Sequence, residues 1–251
     1  MKTSTYKSSI AGIFYGAIVL LITYLIVSET SNNILFPTYK NIWDSLINVF
    51  SQNIFWISFF KTIFDLFITL IISTFLALLL AMFEIKHKYV NGFFTPLLTL
   101  IKCAPIAIIS VYLHLLLGNN TGIHFIVFAT TFPVIYNSFL TAINEIPQNI
   151  KNELTLSDVN FIKKYFFVYI PLIFPYVLSS IINSIGIGLK AAIMGGYLLY
   201  TENSLGYLIY EYKTTVEIEN LIFLLLFIVL FCLLIEFISK YILKKLKEFT
   251  Y

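Results

Sequence analysis

Leu221 to Ile235 is a run of fifteen consecutive apolar residues. A helix needs about 20 mostly apolar residues to cross ~30 Å of hydrocarbon, and there it satisfies its own backbone polar groups. The run extends over residues 221–239, and comparable stretches recur at Ile10–Ser28, Ile57–Phe83, Phe93–Leu117, Gly122–Ile143 and Pro171–Tyr200. The chain therefore reads as an all-α integral membrane protein of about six transmembrane helices. It forms one domain over residues 1–251, with no separate soluble part. Ile10–Ser28 follows Lys2 and Lys7 as a signal peptide would. Its apolar core is longer than usual and no small-residue cleavage site follows, so a retained span is expected.

Composition agrees. Charged residues make up 12% and the mean hydropathy is +0.89, against about 25% charged residues in a soluble chain. A net charge of +3 is too small and too scattered for a nucleic-acid partner. Cys103 and Cys232 both fall in apolar runs and read as small core residues. Gly186-x-Gly188-x-x-Ala191 has a dinucleotide-like spacing, but no strand precedes it. There is no G-x-x-x-x-G-K-[ST] phosphate loop, no G-x-S-x-G and no H-E-x-x-H, so neither ATP binding nor catalysis is expected of this chain itself.

Lysines orient the spans, because loops left in the cytosol retain positive charge. With the N-terminus inside, inner segments hold eleven lysines, among them Lys86, Lys151, Lys163 and Lys164; outer segments hold only Lys40 and Lys213. Both termini are expected in the cytosol, and so is the polar segment 144–169.

That segment carries the clearest functional pattern. Pro147 suits a helix start, giving a short helix to Leu156. Ser157 or Asp158 is placed to cap a second helix over Val159–Val168, and Pro171 is expected to mark re-entry into the membrane. Two short helices meeting at an angle between two spans suit the transfer of force from a cytosolic partner.

The stretch Asn152-Glu153-Leu154, Asp158, Val168-Tyr169-Ile170-Pro171 resembles the cytoplasmic EAA loop of ABC importer permeases. Asn152 stands at the family's Glu position, with Glu153 one residue later, about 100° round the helix. Asp158 stands at the Gly position, where a turn with positive φ is expected. Ile170-Pro171-Leu172-Ile173-Phe174-Pro175-Tyr176 is similar to the family's entry into its fifth span. Ser204-Leu205-Gly206-Tyr207-Leu208-Ile209 is similar to the segment after that span, and Lys102-Cys103-Ala104-Pro105 to a stretch of the third. The nearest branch is the nitrate, sulfonate and taurine type.

The resemblance implies a type I importer architecture. A second permease copy completes the pathway, and a dimer of cytosolic ATPase subunits couples through Asn152, Glu153, Leu154, Asp158 and Pro171. An extracytoplasmic solute-binding protein delivers a small anion or vitamin precursor across the bacterial cytoplasmic membrane. Lys190, mid-way along the fifth span, and Lys102, in the inner third of the third, are the candidate pathway cations. Gly188, Ala192 and Gly196 recur every four residues and read as a helix-packing face. Lys61 and Asp65, also four apart, are expected to pair. His114 and His124 read as polar rather than metal-binding. A gradient-driven secondary transporter is the alternative, and an intramembrane enzyme a weaker one.

Overall fold

The computed structural model describes residues 37–87 and 89–250. The expected first span, Ile10–Ser28, lies outside them. Every described element is helical: α1 (Tyr39–Ser51), α2 (Asn53–Lys86), α3 (Tyr89–Cys103), α4 (Ile106–Leu117), α5 (Asn119–Glu145) and α6 (Gln148–Leu156). These are followed by α7 (Phe161–Lys164), a π-helical turn (Tyr165–Tyr169), α8 (Ile170–Leu198), α9 (Leu205–Thr214) and α10 (Ile218–Thr250).

Among the described residues four segments are long and apolar enough to cross a bilayer: Asn53–Lys86, Thr121–Glu145, Phe161–Leu198 and Ile218–Ile238. A fifth arises if Gly92–Cys103 and Ile106–Leu117 count as one span bent by 94°. The protein is thus an all-α, multi-pass membrane protein. The bend falls at Pro105. A proline disfavours helical backbone at the residue before it, and its own carbonyl accepts from the N–H groups of Ile108 and Ile109, at 3.0 and 3.2 Å, to open α4. Pro96 lies inside α3 without ending it.

The chain divides into two compact units. One comprises the chain up to Asn53 with Glu211–Ile228; the other comprises Ile54–Tyr210 with the chain from Val229 onward. In the first, Phe50 of α1 packs edge-on against Phe223 and Phe227 of α10, with ring centroids 5.3 and 5.7 Å apart. Tyr39, Trp43 and Ile47 recur every four residues on α1 and are all exposed, as an amphipathic helix at an interface would present them. Tyr212 is buried, and its hydroxyl has no partner among the described residues. Burial, reinforced by Glu217 and Glu211, pushes that phenol up to about 12.

In the second unit α2, α5 and α8 share one core, in which Leu66, Ile126, Ile135, Tyr136, Ile173 and Leu189 are buried. Small residues set the spacing. A Cβ on Gly188 would lie 2.6 Å from Leu66 Cδ1 and 3.0 Å from Thr131 Cγ2, and one on Gly196 would lie 2.5 Å from Ser204 Oγ. Ala192 is fully buried on the same stripe. At Gly206 a Cβ would run into the backbone of α8 itself, at Ile193 O and Tyr197 N. Only glycine fits there.

Polar ties cross this core. Ser73 and Thr131 bring their hydroxyls within 3.3 Å. Tyr165 donates to Leu78 O, and Tyr136 to the Glu84 carboxylate, both at 2.5 Å. A hydroxyl held in apolar surroundings needs such a partner.

Candidate functional site

Two places in the second unit gather the sequence-derived candidates: the elbow over residues 147–171 and the bend at Pro105. At the elbow α6 begins at Gln148, one residue later than expected, with Pro147 in extended backbone just before it. Gln148 Nε2 donates to Asn152 Oδ1 at 3.2 Å, and Thr155 Oγ1 donates to Asn152 O at 2.7 Å. The helix ends at Ser157, whose N–H reaches Glu153 O at 3.0 Å and whose hydroxyl reaches Leu154 O at 3.1 Å.

The second half of the elbow departs from expectation in three ways. The cap is Asn160, not Ser157 or Asp158: its Oδ1 accepts the Ile162 N–H at 3.0 Å. Among the described residues the non-glycine positions with positive φ are Tyr200, Asn203 and Val216. Asp158 therefore does not supply the left-handed turn expected at the family's glycine position. The third departure is at Pro171, where no break occurs; Phe161–Leu198 is one continuous 38-residue helical segment. The π-helical turn explains why. Ile170 N–H bonds Tyr165 O five residues back, and such a widened turn accommodates a proline that cannot donate to the normal ladder.

Along the outside of the elbow Leu156, Val159 and Ile162 are exposed, Leu156 at 85%, beside Glu153 and Asp158, which are exposed too. Lys164 turns inward, donating to Leu154 O at 2.5 Å and Ser157 O at 2.7 Å.

At the bend a cavity of about 220 Å³ opens between α3, α4, α5 and α8. Ile101, Ile106, Ile109, Ile126 and Ile187 make most of its wall, and Lys102 and Thr130 are its polar members. Thr130 Oγ1 donates to Ile126 O and Val127 O at 3.1 and 2.9 Å, so its proton is used within α5, while a lysine ammonium carries only donors. Lys190 does not line this cavity. It is exposed on α8.

Lys61 and Asp65 do not pair as expected. Lys61 Nζ donates to Glu202 O at 2.8 Å, and Asp65 faces His124 of α5, with Oδ1 and Nε2 3.9 Å apart. Thr69 joins them, bonding Asp65 O at 2.8 Å and His124 Nδ1 at 2.9 Å. The sequence around His124 holds no acid to pair with it, because this one arrives from another helix, 59 residues earlier. Its only signal was an acid inside an apolar span. Among the described residues no group of three or more His, Cys, Asp or Glu side chains is placed to hold a metal ion.

The apolar spans define a membrane protein, with an exposed elbow and a mostly apolar cavity that carries one lysine. Residues 73–248 match the family described as binding-protein-dependent transport system inner membrane component. The chain belongs to that family: it carries an ABC-transporter permease domain, a transport component rather than a catalytic enzyme. No curated protein matches the chain.

Proposed function

We propose that this chain is the membrane-spanning permease subunit of an ATP-driven importer of the bacterial cytoplasmic membrane. The elbow over residues 147–171 receives a cytosolic ATPase dimer. The observation that carries the reading is the exposed face of Leu156, Val159 and Ile162 beside Glu153 and Asp158. Apolar side chains gain from burial by a protein partner, and the two acids fix the register of a basic counterpart. Asn152, Leu154 and Pro171 belong to the same coupling unit, with Pro171 at the base of the long helix.

The reading includes six spans in a type I importer arrangement, with residues 10–28 as the first, both termini in the cytosol and one permease domain over residues 1–251. A second copy of this chain completes the pathway, and a solute-binding protein delivers cargo from outside. Lys102 presents positive charge in the cavity at the bend, and Lys190 is a second cation on α8. Both favour a small anion, in keeping with the nitrate, sulfonate and taurine branch; a vitamin precursor is the other class considered. Gly188, Ala192 and Gly196 serve as the packing face that sets α8 against its neighbours.

The deciding experiment is purification of the tagged chain from its host in mild detergent. An ATPase with a phosphate-binding loop is expected in equal amount, and is expected to be lost when Glu153 and Asp158 are both replaced by alanine. Recovery of the chain without any ATPase would overturn the reading and favour a gradient-driven transporter.

A further inference from the structure

A helix end that stops without a left-handed residue leaves its last carbonyls to find other donors. At the end of α6 the Ser157 hydroxyl supplies one such donor, and a charged one comes from ten residues beyond Leu154. The Lys164 ammonium bonds both Leu154 O and Ser157 O, and it is partly buried as it does so. Charge-assisted bonds are about twice as strong as neutral ones, and a cation at a helix C-terminus is favoured by the helix dipole as well. Lys164 closes α7 and leads directly into the π-helical turn and α8. Beside the packing of Ile150 and Leu154 on the core, this side chain therefore ties the end of α6 by hydrogen bonds to the base of the long membrane helix, around the open turn 157–160.

We propose that Lys164 is a positioning residue for transport: a clamp that makes α6 and the foot of the 161–198 helix move as one body. The inference rests on the coupling reading above and names the group that gives the elbow its stiffness. Without the clamp, a partner pushing on α6 bends the turn at Ser157–Asn160 and leaves the membrane helix where it was.

The test uses the full chain together with its co-purified ATPase, in a Cys103→Ser, Cys232→Ser background. Spin labels are placed at Thr155→Cys and Phe167→Cys, on either side of the turn. The wild-type Lys164 form is expected to give one narrow distance, Lys164→Met a broad one, and Lys164→Arg a narrow one again. Asp158→Gly added to Lys164→Met restores a glycine end to α6 without restoring the tether, so the distance is expected to stay broad. A single label at Phe174→Cys then reads the separation of the two copies. Trapping with ATP and vanadate is expected to shift that separation in the wild type. In Lys164→Met the shift is expected to be lost while the ATPase stays bound.

A narrow distance in Lys164→Met, or its full recovery through Asp158→Gly, would overturn the clamp. Failure of any ATPase to accompany the wild type would instead overturn the coupling reading, and the 155–167 distances would still decide the clamp.

Discussion

The Thr62 hydroxyl on α2 accepts from the backbone N–H of Leu205 at 3.0 Å, across 143 residues of sequence, and donates to Ser58 O at 2.8 Å. All of this is buried. The first residue of α9 is thus tied to a membrane helix by one hydroxyl. Replacing Thr62 with valine keeps the shape and strands a buried N–H, which costs about 1–3 kcal/mol. Thermal unfolding in detergent is expected to show that loss for Thr62→Val and little change for Thr62→Ser.

Gly206 sets a stricter limit. A methyl group there meets the backbone at Ile193 and Tyr197, which has no rotamer with which to yield. Gly206→Ala is expected to cost more than about 3 kcal/mol, beyond ordinary overpacking, and to lower the yield of folded protein. Gly92→Ala and Gly186→Ala, with nothing within 4 Å of the added carbon, are expected to be tolerated in the same expression and gel-filtration assay.

Asp65 and His124 invite a double-mutant cycle. The Asp65 side chain is 14% exposed, so replacing His124 with leucine leaves an acid inside the bundle without its facing imidazole. A loss of about 1–3 kcal/mol is expected for His124→Leu. Asp65→Asn combined with His124→Leu is expected to lose less than the two single changes added together. Strict additivity in unfolding midpoints would show that the two side chains do not interact.

Tyr212 predicts a response to alkali. Its phenol is raised from 10.0 to about 12 by burial and by Glu217 and Glu211. A group whose folded pKa lies above its unfolded value contributes stability that is complete below the unfolded value and is lost as pH rises through the folded one. Proteolytic nicking around residues 211–217 is therefore expected to rise between pH 10 and about 12. Tyr212→Phe removes both the ionisation and an unpartnered buried hydroxyl. It is expected to abolish the rise without destabilising the protein at neutral pH.

Transport separates the two candidate cations. Lys102→Met, at the cavity wall, is expected to raise the half-saturating concentration of delivered solute about tenfold, the equivalent of about 1.4 kcal/mol. Lys190→Met is expected to lower the rate without weakening assembly. Unchanged uptake in either variant would remove that lysine from the pathway.

Four of the expected membrane helices, among the described residues, were legible from run length alone. The segment expected at 57–83 is Asn53–Lys86, and that expected at 122–143 is Thr121–Glu145; each apolar run continues into polar residues that hydropathy alone does not assign. The elbow was legible as two helices with a turn, because Pro147 and the Ser157-Asp158 pair are local signals, although the second helix starts at Phe161 rather than Val159. Its fine geometry was not. Pro171 reads as a boundary to any local rule, and only the π-helical turn before it keeps the helix whole. The Asp65–His124 contact and the Lys61–Glu202 bond depend on which helices become neighbours, and spacing along one helix favoured the wrong partner. The cavity beside Lys102 needs α8, which follows about 80 residues later, to pack beside α3, α4 and α5, so no motif announces it.

The contact at Gly206 has a mechanical meaning. Where two helices meet through side chains, a push is partly absorbed by rotamers that give way. At Gly206 main chain rests directly on main chain, and there is nothing soft between them. That closeness depends on residue 206 having no side chain: any larger residue would hold the start of α9 away from α8 and undo the approach.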